Sequence, residues 1–210
     1  MTTLSLIHRF APETRPGRPP LLLLHGTGGD ESDLLGLGRT VAPGAALLSP
    51  RGPVSENGMP RFFRRLAEGV FDEADLRARA DQLADFVAAA RAEYGLPAPM
   101  ALGFSNGANI AAALLLLRPE TLAGAVLLRA MRPLAAPPRP DLAGRPVLML
   151  SGSLDPIAPE ATATALAGDL SAAGARVEHR TLPAGHGLSQ ADIALARAWL
   201  DGAQAAATAA

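Results

Sequence analysis

Apolar and polar positions follow two alternating patterns along this chain. Short, uninterrupted apolar runs occupy residues 20–24, 45–48, 100–102 and 146–150, and residues 122–128 contain another. Each is too short for a packed helix and is bounded by turn-forming residues, so each reads as a strand buried on both faces. Residues 176–182 read as a last strand. Longer stretches with helical spacing lie between these runs. Leu76, Ala80, Leu83, Phe86, Val87 and Ala90 share one face of a helix that Asp72 or Glu73 caps and that Gly95 and Pro97 end. Further helices are expected after Gly107 as far as Leu117, over residues 159–173, and from a Ser189 cap through Trp199 and Leu200. A short one, capped by Ser32 or Asp33, should run to about Arg39.

Strands thus alternate with helices from Pro20 onward, which implies a mostly parallel sheet covered by helices on both faces. Residues 1–19 supply a peripheral strand, beginning near Thr3, and a connection rich in proline and arginine. Residues 53–71 show no clear period, and the alanine-rich residues 203–210 should fray. No internal repeat or second boundary is visible, so residues 1–210 read as one α/β domain. Ligand sites in such sheets lie at the carboxyl ends of the strands. The unusual loops at His25, Ser105, Asp155 and His186 all leave those ends.

Composition narrows the chemistry. The net charge of −1 gives no field to recruit nucleic acid or an anionic membrane. All 19 basic residues are arginine, which excludes a lysine Schiff base and a phosphate-loop lysine. With no cysteine there are no disulfides, thiolate nucleophiles or cysteine metal sites. The first ten residues lack a signal-peptide pattern, and no apolar run is long enough to span a membrane, so a cytoplasmic enzyme is expected.

One stretch carries a nucleophile. In Gly103-Phe104-Ser105-Asn106-Gly107 an apolar strand turns sharply into a helix with Ser105 at the apex. The flanking glycines remove the side chains that would collide in such a turn, and the hydroxyl comes to lie at a helix N-terminus. Serine needs a base, and the base needs an orienting acid. His8, expected at the surface, and His179 lie within expected strands, and the His25 ring should brace its glycine-rich loop. His186, in a Gly-His-Gly turn after the last strand, is left as the base. Asp155 follows a strand between Ser105 and His186. Its rivals are Asp141, in an exposed loop, and Asp169, on an expected helix. The loop Gly26-Thr27-Gly28-Gly29 can aim backbone N–H groups into a site, but it lacks the phosphate-loop pattern.

Four segments together, His25-Gly26-Thr27-Gly28-Gly29-Asp30, Gly103-Phe104-Ser105-Asn106-Gly107, Gly152-Ser153-Leu154-Asp155-Pro156 and Gly185-His186-Gly187, resemble the phospholipase/carboxylesterase branch of the α/β-hydrolases. The similarity extends over nearly the whole chain from Pro20. It is nearest to small bacterial esterases with an Arg-Phe-Phe loop, here Arg61-Phe62-Phe63. The resemblance implies an α/β-hydrolase fold without a large lid domain. It also implies a Ser105–Asp155–His186 triad and an oxyanion hole from the Thr27 and Asn106 backbone N–H groups. Acyl-protein thioesterases of this branch usually carry glutamine after the serine, whereas this chain has Asn106. That leaves the oxyanion role intact and argues against protein deacylation.

The activity expected is hydrolysis of small, short-acyl carboxylic esters, with thioesters, lactones and peptides as neighbouring substrates, and without metal or cofactor. Alternatives are a lysophospholipase or thioesterase on longer acyl chains, and a silent α/β-hydrolase serving as a small-molecule binding module. Homodimers are compatible with the resemblance. Phe62 or Phe63 is expected to wall a short acyl pocket, with Met131 nearby. Arg61 is expected at its mouth, where it could hold a substrate carboxylate.

Overall fold

Seven strands form the central sheet, and both its faces are apolar. The computed structural model describes residues 4–208, with side chains considered through residue 203. Strand order is β1-β3-β2-β8-β9-β10-β11. The strands are β1 (His8–Ala11), β2 (Leu21–Leu24), β3 (Leu47–Pro50), β8 (Met100–Phe104), β9 (Gly124–Leu128), β10 (Pro146–Gly152) and β11 (Arg176–Leu182). All pairs are parallel except β1 with β3. Side chains of a strand alternate between faces, and here both faces are filled. Leu22 and Leu24 join one core cluster, while Leu21 and Leu23 join the other. This two-sided burial is why the core strands read as continuous apolar runs rather than alternating ones.

Helices α2 (Glu73–Tyr94), α3 (Asn106–Leu117) and α4 (Glu160–Ala172) supply residues to the first cluster. Helices α1 (Leu35–Val41) and α5 (Gln190–Thr208) cover the other face. Asp72 caps α2 by accepting the Asp75 N–H, and Gly95 ends it in the left-handed conformation. At the start of α5 the Ser189 hydroxyl accepts the Asp192 N–H at 3.4 Å, while the Ser189 N–H donates to the Asp192 carboxylate at 2.7 Å. This is a reciprocal capping box.

Several elements differ from the expectation. The first strand starts at His8, and Thr3 lies outside the described residues. His8 is half-buried, bonded to Tyr94 Oη at 2.8 Å and set edge-on against Phe86, so it is anchored at the surface and not free there. Leu34, not Ser32 or Asp33, precedes α1, and no side chain caps it. The stretch without a period folds into two hairpins, β4 (Val54–Glu56) with β5 (Met59–Arg61), and β6 (Arg65–Ala67) with β7 (Val70–Phe71). Asn57 and Gly58 turn the first hairpin, both with positive φ, and this dipeptide is a strong hairpin signal in the sequence. The last helix extends to Thr208, past the apolar pattern that ends near Gly202, consistent with alanine's high helix propensity. Residues 209–210 lie outside the description.

The chain leaves β2 toward β3 on one side and returns at β8 on the other. Such a reversal opens a crevice at the carboxyl ends of the two strands. The loop from His25 and the turn at Ser105 both open into it.

Candidate active site

Ser105 stands between β8 and α3 with φ 52° and ψ −115°, a region that a residue with a Cβ seldom occupies. The geometry around it requires glycine on either side. A Cβ on Gly103 would lie 2.5 Å from the Gly107 carbonyl oxygen, and one on Gly107 would lie 2.0 Å from the Leu24 carbonyl oxygen. The Ser105 N–H donates to the Leu128 carbonyl at 2.9 Å, which fixes the turn to the neighbouring strand.

His186 and Asp155 reach this point from the loops after β11 and β10. His186 Nε2 lies 2.9 Å from Ser105 Oγ, and Nδ1 lies 2.8 Å from Asp155 Oδ2. A carboxylate can only accept, so Nδ1 carries the proton and Nε2 accepts from the serine hydroxyl. Asp155 Oδ1 accepts the N–H groups of Ile157 and Ala158 at 2.8 and 3.0 Å. Burial alone would raise the Asp155 carboxyl. The Ala158 and Ile157 N–H groups and the His186 ring outweigh it and hold the carboxyl below its ordinary value. The group therefore stays ionised and keeps accepting from the imidazole. The rival acids are engaged elsewhere. Asp169 forms a two-pronged pair with Arg132 at 2.6 and 3.1 Å, and Asp141 accepts the Ala143 N–H in its own loop.

The loop after β2 faces the turn. The Thr27 N–H has no backbone acceptor among the described residues. Asn106 opens α3, so its N–H belongs to the first turn, which has no intrahelical acceptor. Two such donors near a serine hydroxyl can stabilise an oxyanion. The His25 ring braces this loop. Its Nε2 accepts the Gly52 N–H at 2.9 Å, which leaves Nδ1 to donate to the Gly26 carbonyl at 2.7 Å. Burial pushes the His25 imidazole down, keeping it neutral in this role.

The side chains expected to line a substrate pocket are all buried. Arg61 is 3% exposed, Phe62 1%, Phe63 0% and Met131 8%. The first hairpin turns the Arg61-Phe62-Phe63 stretch inward, so Arg61 does not stand at a mouth. Its Nη1 donates to Thr27 Oγ1 at 2.7 Å, and its Nε lies 3.1 Å from the Phe63 carbonyl and 3.2 Å from Glu56 Oε2. Phe62 donates its N–H to Asn106 Oδ1 at 2.8 Å, and its ring packs against His25. The Met131 N–H donates to Asn109 Oδ1 at 2.8 Å. Two ties to the site's loops thus come from residues that sequence reasoning assigned otherwise, the Arg61 bond to Thr27 and the Asn106 side-chain bond to Phe62. Asn106 Nδ2 is buried without an acceptor among the described residues. Among those residues no group of three or more His, Asp or Glu side chains could hold a metal ion, and no helix is long and apolar enough to cross a membrane.

Comparison with known proteins identifies the family. The phospholipase/carboxylesterase family model matches residues 8–202. Over 181 residues, 85% of this chain and 90% of the relative, the sequence is 47% identical to the hydrolase MhqD of Bacillus subtilis. A carboxylesterase from Bacillus cereus superposes with a TM-score of 0.93 at 44% identity, covering 96% of both chains. One from Mesorhizobium loti gives 0.90 at 36% identity, covering 96% of this chain and 97% of the other. The structure of YahD with malic acid gives 0.89 at 30% identity, covering 94% and 98%. The chain belongs to the phospholipase/carboxylesterase family and is a carboxylesterase-type hydrolase on the α/β-hydrolase fold.

Proposed function

We propose that this hydrolase cleaves small, short-acyl carboxylic esters through an acyl-enzyme on Ser105. The observation that carries the reading is the unbroken hydrogen-bond chain from Ser105 through His186 to Asp155. His186 takes the serine proton as Oγ attacks the ester carbonyl. The Thr27 and Asn106 N–H groups hold the oxyanion. The alcohol leaves with the proton from His186. Water then attacks the acyl-enzyme by the same route, releasing the acid and restoring the serine. No cofactor enters this scheme. The short-acyl preference is supported by Phe62, whose backbone is tied to Asn106 and whose buried ring occupies space beside the oxyanion loop. Arg61, with its Glu56, Phe63 and Thr27 bonds, serves on this reading to brace Thr27 and not to hold a substrate carboxylate.

The test is Ser105→Ala assayed with p-nitrophenyl acetate. Turnover should fall by a factor on the order of 10⁵–10⁶ while the fold persists, and covalent labelling by a fluorophosphonate should vanish. Retention of more than a tenth of the activity would sink the reading. A silent binding module would show neither turnover nor label in the unaltered chain. Acetyl, butyryl, octanoyl and succinyl esters then resolve chain length, the acidic ester being included because a relative's structure contains malic acid. Fastest turnover of octanoyl esters would favour the lysophospholipase or thioesterase reading.

A further inference from the structure

Arg129 follows β9 and carries a positive φ of 56°, one of three residues other than glycine to do so among the described residues. Its side chain is fully buried. All five guanidinium N–H groups have acceptors. Nη1 and Nη2 each donate to the Asp192 carboxylate at 2.8 Å. Nε donates to the Gly185 carbonyl at 2.9 Å and Nη2 to the Gly187 carbonyl at 3.2 Å, while Nη1 also reaches the Leu150 carbonyl at 3.2 Å. Gly185 and Gly187 are the residues on either side of His186. One planar fork thus grips the backbone before and after the imidazole, and the fork is itself locked against the first turn of α5.

The same short segment reaches the other two side chains. The Leu128 carbonyl accepts the Ser105 N–H, and the Arg129 N–H donates to the Leu150 carbonyl on β10, the strand that leads to Asp155. Leu128 and Arg129 therefore join the supports of the nucleophile, the base and the acid. Glycines flank His186 and give its loop little stiffness of its own, so the fork replaces the rigidity the sequence lacks there. Burial alone would raise the Asp192 carboxyl, but the bonds from Arg129 and Ser189 hold it below its ordinary value, and the carboxylate stays ionised.

We propose that Arg129, locked by Asp192, is a positioning residue that fixes the His186 imidazole at hydrogen-bond distance from Ser105. This rests on His186 acting as the base. Removing Arg129 alone would strand a buried carboxylate and threaten the fold, whereas replacing both partners with apolar side chains of similar volume is often tolerated. The test is therefore the double variant Arg129→Met with Asp192→Leu, assayed with p-nitrophenyl acetate, with turnover taken per folded molecule. Arg129→Lys serves as the second variant. It keeps a charge for Asp192, but its single nitrogen cannot span the carboxylate and both carbonyls. Misplacement of the base should lower kcat on the order of 10²-fold in the double variant and at least ~10-fold in Arg129→Lys, with KM within about twofold of the original. A purely structural role would leave kcat per folded molecule unchanged. If either folded variant keeps kcat within about threefold of the original, the positioning role is overturned. Ser105→Ala in the same assay separates the two ideas. If it is inactive while both pair variants turn over normally, only the positioning role falls. If it is active, the serine mechanism itself falls.

Discussion

Asp155 shows how one residue's surroundings decide its chemistry. Two backbone N–H groups occupy one carboxylate oxygen and His186 the other, so the acid cannot rotate and has one ring nitrogen to serve. Asp155→Asn would place an amide donor within reach of Nδ1 and stabilise the wrong tautomer. Turnover should then drop by about 10⁴ with the fold preserved. Asp169→Asn, which breaks only the Arg132 pair, should leave turnover near its original value. The reverse outcome, read from initial rates of the two purified variants, would assign the acid to Asp169. At this scale the sequence was informative wherever a residue's setting is local. Ser105 sits in a spaced glycine motif, and Asp155 and His186 sit in loops that leave strand ends. The orientation of Arg61, Phe62 and Phe63 was not legible. It depends on a hairpin fold that turns them inward, and a run of neighbouring residues carries no mark of which side will face the protein.

At the level of elements, the loop after β2 depends on a neutral histidine. Burial keeps the His25 imidazole below its ordinary value of about 6.5 in the folded chain, while the unfolded chain titrates near that value. Above this range the ring is neutral in both states and contributes no pH dependence. As pH falls below about 6.5, the unfolded state takes up a proton that the folded state does not, and stability declines by at most ~1.4 kcal/mol per pH unit for this group. His179, half-buried on β11 beside Ser151 and also pushed down by desolvation, adds a slope of the same sign. Urea unfolding of His25→Gln between pH 7 and 5.5 should therefore show a shallower loss of stability than the unaltered chain. An identical slope would remove His25 from this role. The helices and core strands could be placed from apolar spacing and caps, as with Asp72 before α2. The hairpins escaped the periodicity reading because strands of two or three residues are too short to show a period. Asn57-Gly58 was the signal available for the first of them.

For the molecule as a whole, the two core faces are completed at different points in the chain. α2, α3 and α4 build one face from the middle of the sequence. The other needs α1 and α5 together, with Leu34 and Val41 packed in the same cluster as Ala196 and Leu200. Deleting residues 190–210 would bare the apolar side of β10 and the inner side of α1, and would remove Asp192 from Arg129. Expression of that truncation should give aggregated protein without cooperative unfolding, as judged by size-exclusion chromatography and thermal melts, and a cooperative monomer would contradict this view of the core. The alternation of strands and helices made the parallel sheet legible, but not which helices share a face, because that is set by the order of strands across the sheet. The late closure of the second face also bears on synthesis. A chain emerging from the ribosome presents Leu148 and Leu150 of β10 well before the last helix, which packs on that strand, is made. Until α5 is made, that strand face stays open to other nascent chains, so synthesis of this helix closes a route to aggregation.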